Sequence, residues 1–208
     1  VADCGDPFMG QENDTFKPAS YFKYVEKWCF KKADYIAVPT VGAIQAYYRE
    51  FHPKIKVIPK GFKFDDVTLY NGEVNNTRVT FGYAGALIQG RRDPSELLEY
   101  LVTSGHDYEF HFYTPHVNLV KPYVERSQGR VILHSYIPRN ELLFEMSKMD
   151  FVVNFENIGS KQTPSKLIDY AIINRPILSV RTGALDKSTV HEFLNKNYSN
   201  QYIIEDVE

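Results

Sequence analysis

Phe151-Val152-Val153-Asn154-Phe155-Glu156, a polar loop ending Lys161-Gln162-Thr163, then Pro164-Ser165-Lys166-Leu167-Ile168-Asp169-Tyr170 and Arg175-Pro176-Ile177-Leu178-Ser179-Val180 read as strand, loop, helix and strand. Strands apolar on both faces, such as Phe151-Val152-Val153 and Ile177-Leu178, belong to a covered parallel sheet. Thr163 is placed to cap the helix and Pro164 to start it, because a first-turn residue needs no N–H partner. From that start Leu167, Ile168, Ala171 and Ile172 form the apolar stripe, and Ser165, Lys166 and Asp169 fall on the other side near the N-terminal end. A lysine beside free N–H groups suits phosphate, and a carboxylate one turn deeper suits ribose hydroxyls.

The composition around this stretch is that of an ordinary globular protein: 208 residues, 43% hydrophobic, 24% charged, net charge −2 and pI near 6.3. Near-neutral charge excludes the basic footprint of a nucleic-acid binder. Cys4 and Cys29 are too few for a disulfide framework or metal cluster and point to a reducing, cytoplasmic setting. The six histidines show no pair at metal spacing, and His106, His111, His116 and His134 read as structural or exposed. The chain opens at Val1 and closes at Glu208 beside strand-like residues, so an internal segment of a longer protein is expected.

Upstream, a polar loop to Lys17 precedes a helix from Pro18 to Ala33, with Tyr21, Phe22, Val25, Trp28 and Cys29 at helical spacing and Lys23, Lys27, Lys31 and Lys32 opposite. A strand at Tyr35–Val38, a helix capped by Thr40 and running to Phe51, and a strand at Ile55–Pro59 follow. Residues 1–61 thus read as the end of one α/β domain, 62–77 as a linker, and 78–208 as a second, doubly wound α/β domain. Its strands are expected at Val79–Tyr83, Phe110–Tyr113, Val131–Leu133, Phe151–Val153, Ile177–Val180 and Tyr202–Ile204. Its helices are expected at Pro94–Thr103, Val117–Arg126, Asn140–Met149, from Pro164, and Thr189–Asn195. In such a sheet ligands bind outside the carboxyl ends of the strands.

The loop after the first of these strands, Gly82-Tyr83-Ala84-Gly85 through Gly90-Arg91-Arg92-Asp93-Pro94, has glycines for close backbone approach and two arginines whose forks match phosphate oxygens. Asp93 and Glu96 read as a capping box for the next helix. The loop is neither a Walker loop nor the Gly-x-Gly-x-x-Gly turn. With the helix at Pro164 it forms two anion-friendly loops on one sheet edge, which suggests a diphosphate between them and a ribose at Asp169.

In order along the chain, Asp3-Cys4-Gly5-Asp6-Pro7-Phe8, Ala33-Asp34-Tyr35-Ile36-Ala37-Val38-Pro39-Thr40, Val57-Ile58-Pro59-Lys60-Gly61-Phe62, the Gly82–Arg92 loop, Ser135-Tyr136-Ile137-Pro138 and Pro164–Leu178 resemble the C-terminal half of a GT-B glycosyltransferase of the family 4 type. The resemblance implies a nucleotide-sugar donor, its diphosphate held by Gly85, Arg91, Arg92, Ser165 and Lys166, its ribose by Asp169 and its base facing Tyr136 and Ile137. It further implies transfer with retention to a saccharide or lipid-linked acceptor in surface polysaccharide synthesis, at the inner face of the membrane. No metal or other cofactor is expected, since fixed cations and N–H dipoles serve where leaving-group charge grows. Peripheral membrane contact through the lysine-bearing helix is an alternative to its ordinary packing.

This chain departs from the family at Cys4 and Gly5, where the pattern has Phe-Arg, and at two positions of the proposed site. Where many members carry Glu at the ribose position, it has the shorter Asp169. Where they carry a sugar-facing Glu eight residues earlier, it has Lys161, and Glu156 is the alternative sugar-facing carboxylate. A non-catalytic nucleotide-sugar-binding module and a GT-B-like UDP-sugar epimerase therefore remain as alternatives to a transferase. The segment alone is expected to bind nucleotide weakly without turnover.

Overall fold

The structure, a computed structural model, describes residues 1–10, 18–59, 67–156 and 166–180, with 201–204 as backbone. The expected helix at Thr189–Asn195, the cap at Thr163 and Pro164, and the site candidates Lys161 and Ser165 lie outside these residues. The described residues fall into two compact units.

The first unit holds β1 (Ala2–Asp3), α1 (Phe22–Lys32), β2 (Ile36–Val38) and β3 (Ile55–Val57). The strands pair in parallel in the order β1-β2-β3, with Ile36 opposite both Ala2 and Ile55. The helix expected over Thr40–Phe51 is instead two 3-10 segments, Gly42–Ala46 and Arg49–Lys54, separated by an extended Tyr47. Thr40 does accept the Ala43 amide at 3.2 Å. Beyond it, packing overrides helix propensity: Tyr47, Tyr48 and Phe51 meet Phe30 edge-on, with ring centroids 5.8, 6.5 and 5.6 Å away. The α1 helix starts at Phe22 rather than Pro18, and Phe30 is its buried residue while the Tyr21, Val25 and Trp28 stripe stays exposed. Lys54 closes its far end, donating to the Ala33 carbonyl at 2.7 Å and the Phe30 carbonyl at 3.3 Å.

The second unit alternates β4 (Val79–Ala84), α2 (Ser95–Thr103), β5 (Tyr108–Tyr113), α3 (Lys121–Arg126), β6 (Val131–His134), α4 (Arg139–Met146), β7 (Phe151–Phe155), α5 (Lys166–Ile173), β8 (Ile177–Val180) and β9 (Gln201–Ile204). All pairs are parallel in the order β6-β5-β4-β7-β8-β9, the doubly wound sheet expected, with its order reversing between β4 and β7. The sheet is covered on both faces. One core joins Tyr83, Phe110, Phe112 and Phe155 to Leu97, Leu98 and Leu101 of α2, and the other joins Val152 and Ile177 to Leu143, Met146, Leu167 and Tyr170 of α4 and α5. At Gly82 any side chain would collide with Met146 and Met149, its Cβ falling 2.8 Å from the Met146 sulfur, so the glycine lets α4 lie close on β4.

Three expectations shift here for local reasons. The helix expected from Val117 is a 3-10 turn, Val117–Leu119, followed by α3. Pro122 has no N–H to continue a regular ladder back to Asn118. The α4 helix stops at Met146, not Met149, because the Ser147 hydroxyl donates to the Phe144 carbonyl at 2.7 Å and accepts the Tyr70 amide at 2.9 Å. That second bond also shows that residues 67–77, expected as linker, are packed: Val67 and Leu69 join the α4/α5 core, and Asn76 bonds Thr80 and Asp150.

Candidate functional site

The crevice at the switch point is built by the carboxyl ends of β4 and β7, the loop leaving β4 and the first turn of α5. Gly85 leaves β4 at φ +130, a left-handed conformation that favours glycine, and its amide donates to the Tyr113 carbonyl at 3.0 Å. The Tyr83 hydroxyl donates to the Ala86 carbonyl at 2.8 Å, tying down the loop from below. Ile88 and Arg92 then pair across a tight turn that carries Arg91 at its tip. Asp93 closes that turn by accepting the Gly90 amide at 2.7 Å, and it caps α2 through the Ser95 amide at 3.0 Å. Although burial opposes ionisation, the bonds from Ser95 and Gly90 hold the Asp93 carboxyl below its usual range.

Into this turn points the first residue of α5. Lys166 as a whole residue is partly exposed, but its ammonium is enclosed, has no hydrogen-bond partner, and lies 4.3 Å from the Tyr83 ring centroid and 5.8 Å from that of Tyr170. Burial, reinforced by the nearby Arg92 guanidinium, holds it well below the ordinary lysine range. The Arg92 Nε is likewise buried with no hydrogen bond. A Cβ on Gly85 would come within 3.8 Å of the Lys166 Cδ. Gly85, Arg92 and Lys166 therefore converge, with the Lys166 ammonium near Arg92 and over the Tyr83 and Tyr170 rings. That arrangement leaves buried positive charge without a hydrogen-bonded counter-charge among the described residues, a setting whose chemistry suits an anion.

The Asp169 carboxylate, one turn along α5, receives Arg139 Nη2 on Oδ1 at 2.6 Å. Sequence reasoning missed Arg139; its only linear signal is a cation at a helix start after Pro138. Glu156 ends β7 and is 2% exposed, its amide donating to the Val180 carbonyl at 3.1 Å.

A cavity of about 590 Å³ opens beyond β5 and β6, walled by Tyr113, His134, Ser135, Ile137, Asn140 and Glu145 among others. Of the two residues expected to face the base, Ile137 is in this wall, whereas Tyr136 is 93% exposed and outside it. The structure also joins two histidines that linear spacing kept apart: His111 Nδ1 and His134 Nε2 are 2.8 Å apart on neighbouring strands. Among the described residues no group of three or more His, Cys, Asp or Glu is arranged to hold a metal, and no helix is long and apolar enough to cross a membrane.

No known family profile and no curated protein matches the sequence. Solved structures do match the fold. A glycosyltransferase from Rickettsia africae aligns over 92% of this chain and 54% of its own, at 13% identity and TM-score 0.65. TarM aligns over 95% and 39%, at 18% identity and TM-score 0.61. HepE of Anabaena, solved with UDP and glucose, aligns over 98% and 56%, at 11% identity and TM-score 0.67. The chain has the fold of the GT-B glycosyltransferases and spans about half the length of the structures it matches or less.

Proposed function

We propose that this chain binds the nucleoside diphosphate of a sugar donor across the switch point and, within a longer polypeptide, serves sugar transfer with retention to a saccharide or lipid-linked acceptor in surface polysaccharide synthesis. The observation that carries the reading is the enclosed, unpartnered Lys166 ammonium beside Arg92 at the carboxyl end of β4. In transfer, negative charge grows on the departing diphosphate. Cations already fixed there stabilise it with no reorganisation and no metal requirement. Gly85 lets the backbone approach the phosphates, and Arg91 and Ser165 are assigned to the same group. The carboxylate of Asp169, oriented by Arg139, holds the ribose. Ile137 and its cavity take the base, and Glu156 or Lys161 faces the sugar. The presence of UDP in the HepE structure makes UDP the first nucleotide to test.

Calorimetric titration with UDP is expected to show binding that Arg92→Ala weakens at least about tenfold, the scale of a lost charge-assisted bond. If no nucleoside diphosphate binds, or Arg92→Ala leaves affinity unchanged, the reading fails. Product formed from a labelled nucleotide sugar by the longer protein separates a transferase from a binding module or an epimerase.

The proposed setting is cytoplasmic, at the inner face of the membrane. Helix α1 supports it: Tyr21, Tyr24, Val25 and Trp28 are all exposed, Trp28 by 61%, beside Lys23, Lys31 and Lys32. An aromatic stripe flanked by lysines suits an anionic lipid surface. Cosedimentation with phosphatidylglycerol vesicles, absent with phosphatidylcholine and reduced by Trp28→Ala, is the expected result. Equal behaviour toward both lipids would remove the assignment.

A further inference from the structure

The wall of the 590 Å³ cavity contains chemistry that the donor-binding assignment leaves unused. Glu109, His111 and Tyr113 alternate along β5, and the register sets Tyr113 opposite His134 at the end of β6. The His111 and His134 rings are within 9° of parallel, with centroids 5.1 Å apart and facing nitrogens 2.8 Å apart. A centroid separation of that size is the nitrogen-to-nitrogen distance plus two ring radii. The rings therefore lie edge to edge in one plane, and the contact is an in-line hydrogen bond rather than a stack. Tyr113, in contrast, lies face-on over His134, 4.3 Å between centroids.

The far end of the chain of contacts sets the direction of that bond. Glu109 Oε2 faces His111 Nε2 at 3.5 Å, and a carboxylate accepts only. The nearby carboxylate favours the tautomer with the His111 proton on Nε2, in which His111 accepts at Nδ1 and His134 donates from Nε2. In the neutral pair His134 Nδ1 is then an acceptor with no hydrogen-bond partner among the described residues. We propose that His134 Nδ1 is the acceptor that reads a ring N–H of the nucleobase, so that the chain selects a donor whose base carries that proton, as uracil and guanine do. This rests on the proposed nucleotide binding and adds to it a specificity-determining residue and a pH response.

The charged and titratable groups facing the pair are Glu109 and Tyr113 on β5 and Glu145 on α4, with Glu141 in the same cavity wall. Arg78 neutralises Glu109 at 3.5 Å, and Lys148 neutralises Glu145 at 2.7 Å. Burial lowers His111 more than Glu109 and Glu145 raise it, and burial together with His111 lowers His134 more than Glu145 raises it, so the pair is neutral at neutral pH. One added proton places N–H on His134 Nδ1, donor then meets donor, and base binding weakens as pH falls.

The test titrates the full chain with UDP and 3-methyl-UDP, and in parallel with GDP and 1-methyl-GDP, at about pH 7.5 and about pH 5.5, on either side of the ordinary histidine range. Each methyl group removes the ring N–H and adds bulk at that nitrogen, a steric cost that does not change with pH, so the pH dependence of the preference carries the test; the phosphate's own titration cancels within a pair. For at least one pair the unmethylated nucleotide is expected to bind about tenfold tighter at the higher pH, the scale of one hydrogen bond and one unsatisfied group. That preference should shrink at the lower pH and vanish in His134→Phe, which keeps a flat ring against Tyr113. The wild-type comparison needs no variant, so poor folding of His134→Phe does not blunt it. If methylated and unmethylated nucleotides bind alike while Arg92→Ala weakens both, the base-reading role falls and the phosphate cradle stands. If none binds, both fall.

Discussion

Lys166→Met is expected to make the protein more stable and to cost it its nucleotide. The wild-type ammonium is enclosed over Tyr83, has no hydrogen-bond acceptor and stands close to Arg92, so in the empty protein it is held against its own solvation. Methionine keeps the stem and removes the charge. Exchanging uncompensated buried charge for an apolar group of similar volume is stabilising by about 1–4 kcal/mol, or several degrees in melting temperature for a chain of this size. Nucleoside diphosphate affinity should fall on the order of a hundredfold, since a buried partner of the phosphate is gone. Binding to the wild type should also be accompanied by proton uptake at alkaline pH, because the arriving anion restores the lysine's charge; the variant should lose that uptake. Thermal melts with and without UDP read both effects. Stability and affinity falling together would mean that the lysine is a packing residue and the cradle assignment is mistaken.

Tyr170→Phe is expected to destabilise the second unit by about 1–3 kcal/mol through one oxygen atom. Strands β4 and β7 are in register only at Phe81 with Phe151 and Gly82 with Val152, whereas β4 pairs β5 along its whole length. Beyond Gly82 the two strands part, and the buried Tyr170 hydroxyl fills the gap, accepting the Ala84 amide at 3.1 Å and donating to the Val153 carbonyl at 3.0 Å. Phenylalanine fits the space but strands both backbone groups. The urea midpoint should drop with little change in slope. Nucleotide affinity should drop with it, since Tyr170 also ties the helix bearing Lys166 and Asp169 to the strand that leads into Gly85. An unchanged midpoint would show that the hydroxyl's bonds add nothing to the closure of the sheet.

Much of this was legible because its signals are local. Apolar runs such as Phe151–Val153 mark parallel strands whatever surrounds them, and their alternation with helical spacing dictates a doubly wound order. A glycine at the end of such a strand, at Gly85, announces a backbone that must turn where a side chain cannot. What escaped depends on pairing between distant segments. Neither the Arg139 contact to Asp169 nor the His111–His134 bond has any linear spacing to betray it, since each exists only once helix and strand neighbours are known. The Thr40–Phe51 helix failed for a related reason: three aromatic residues whose spacing suits a helix were claimed by a single ring, Phe30, from another element. The polar order Ser165, Lys166, Asp169 separated phosphate from ribose by residue type but placed all three on one exposed side of the helix. Burial made Lys166 unlike Asp169, and no pattern of residue types encodes that difference.

The 2.6 Å contact between Arg139 and Asp169 also acts as a ruler. It joins the first turn of α4, whose next residue, Asn140, walls the base cavity, to the first turn of α5, whose carboxylate is assigned to the sugar. In the proposed reading the base cavity, the ribose carboxylate and the phosphate-binding Lys166 are thereby mounted on one clamped pair of helices, while Gly85 and Arg92 belong to the loop that leaves β4. Ligands with a lengthened or contracted link between base and sugar should be rejected by geometry, however strong their charge.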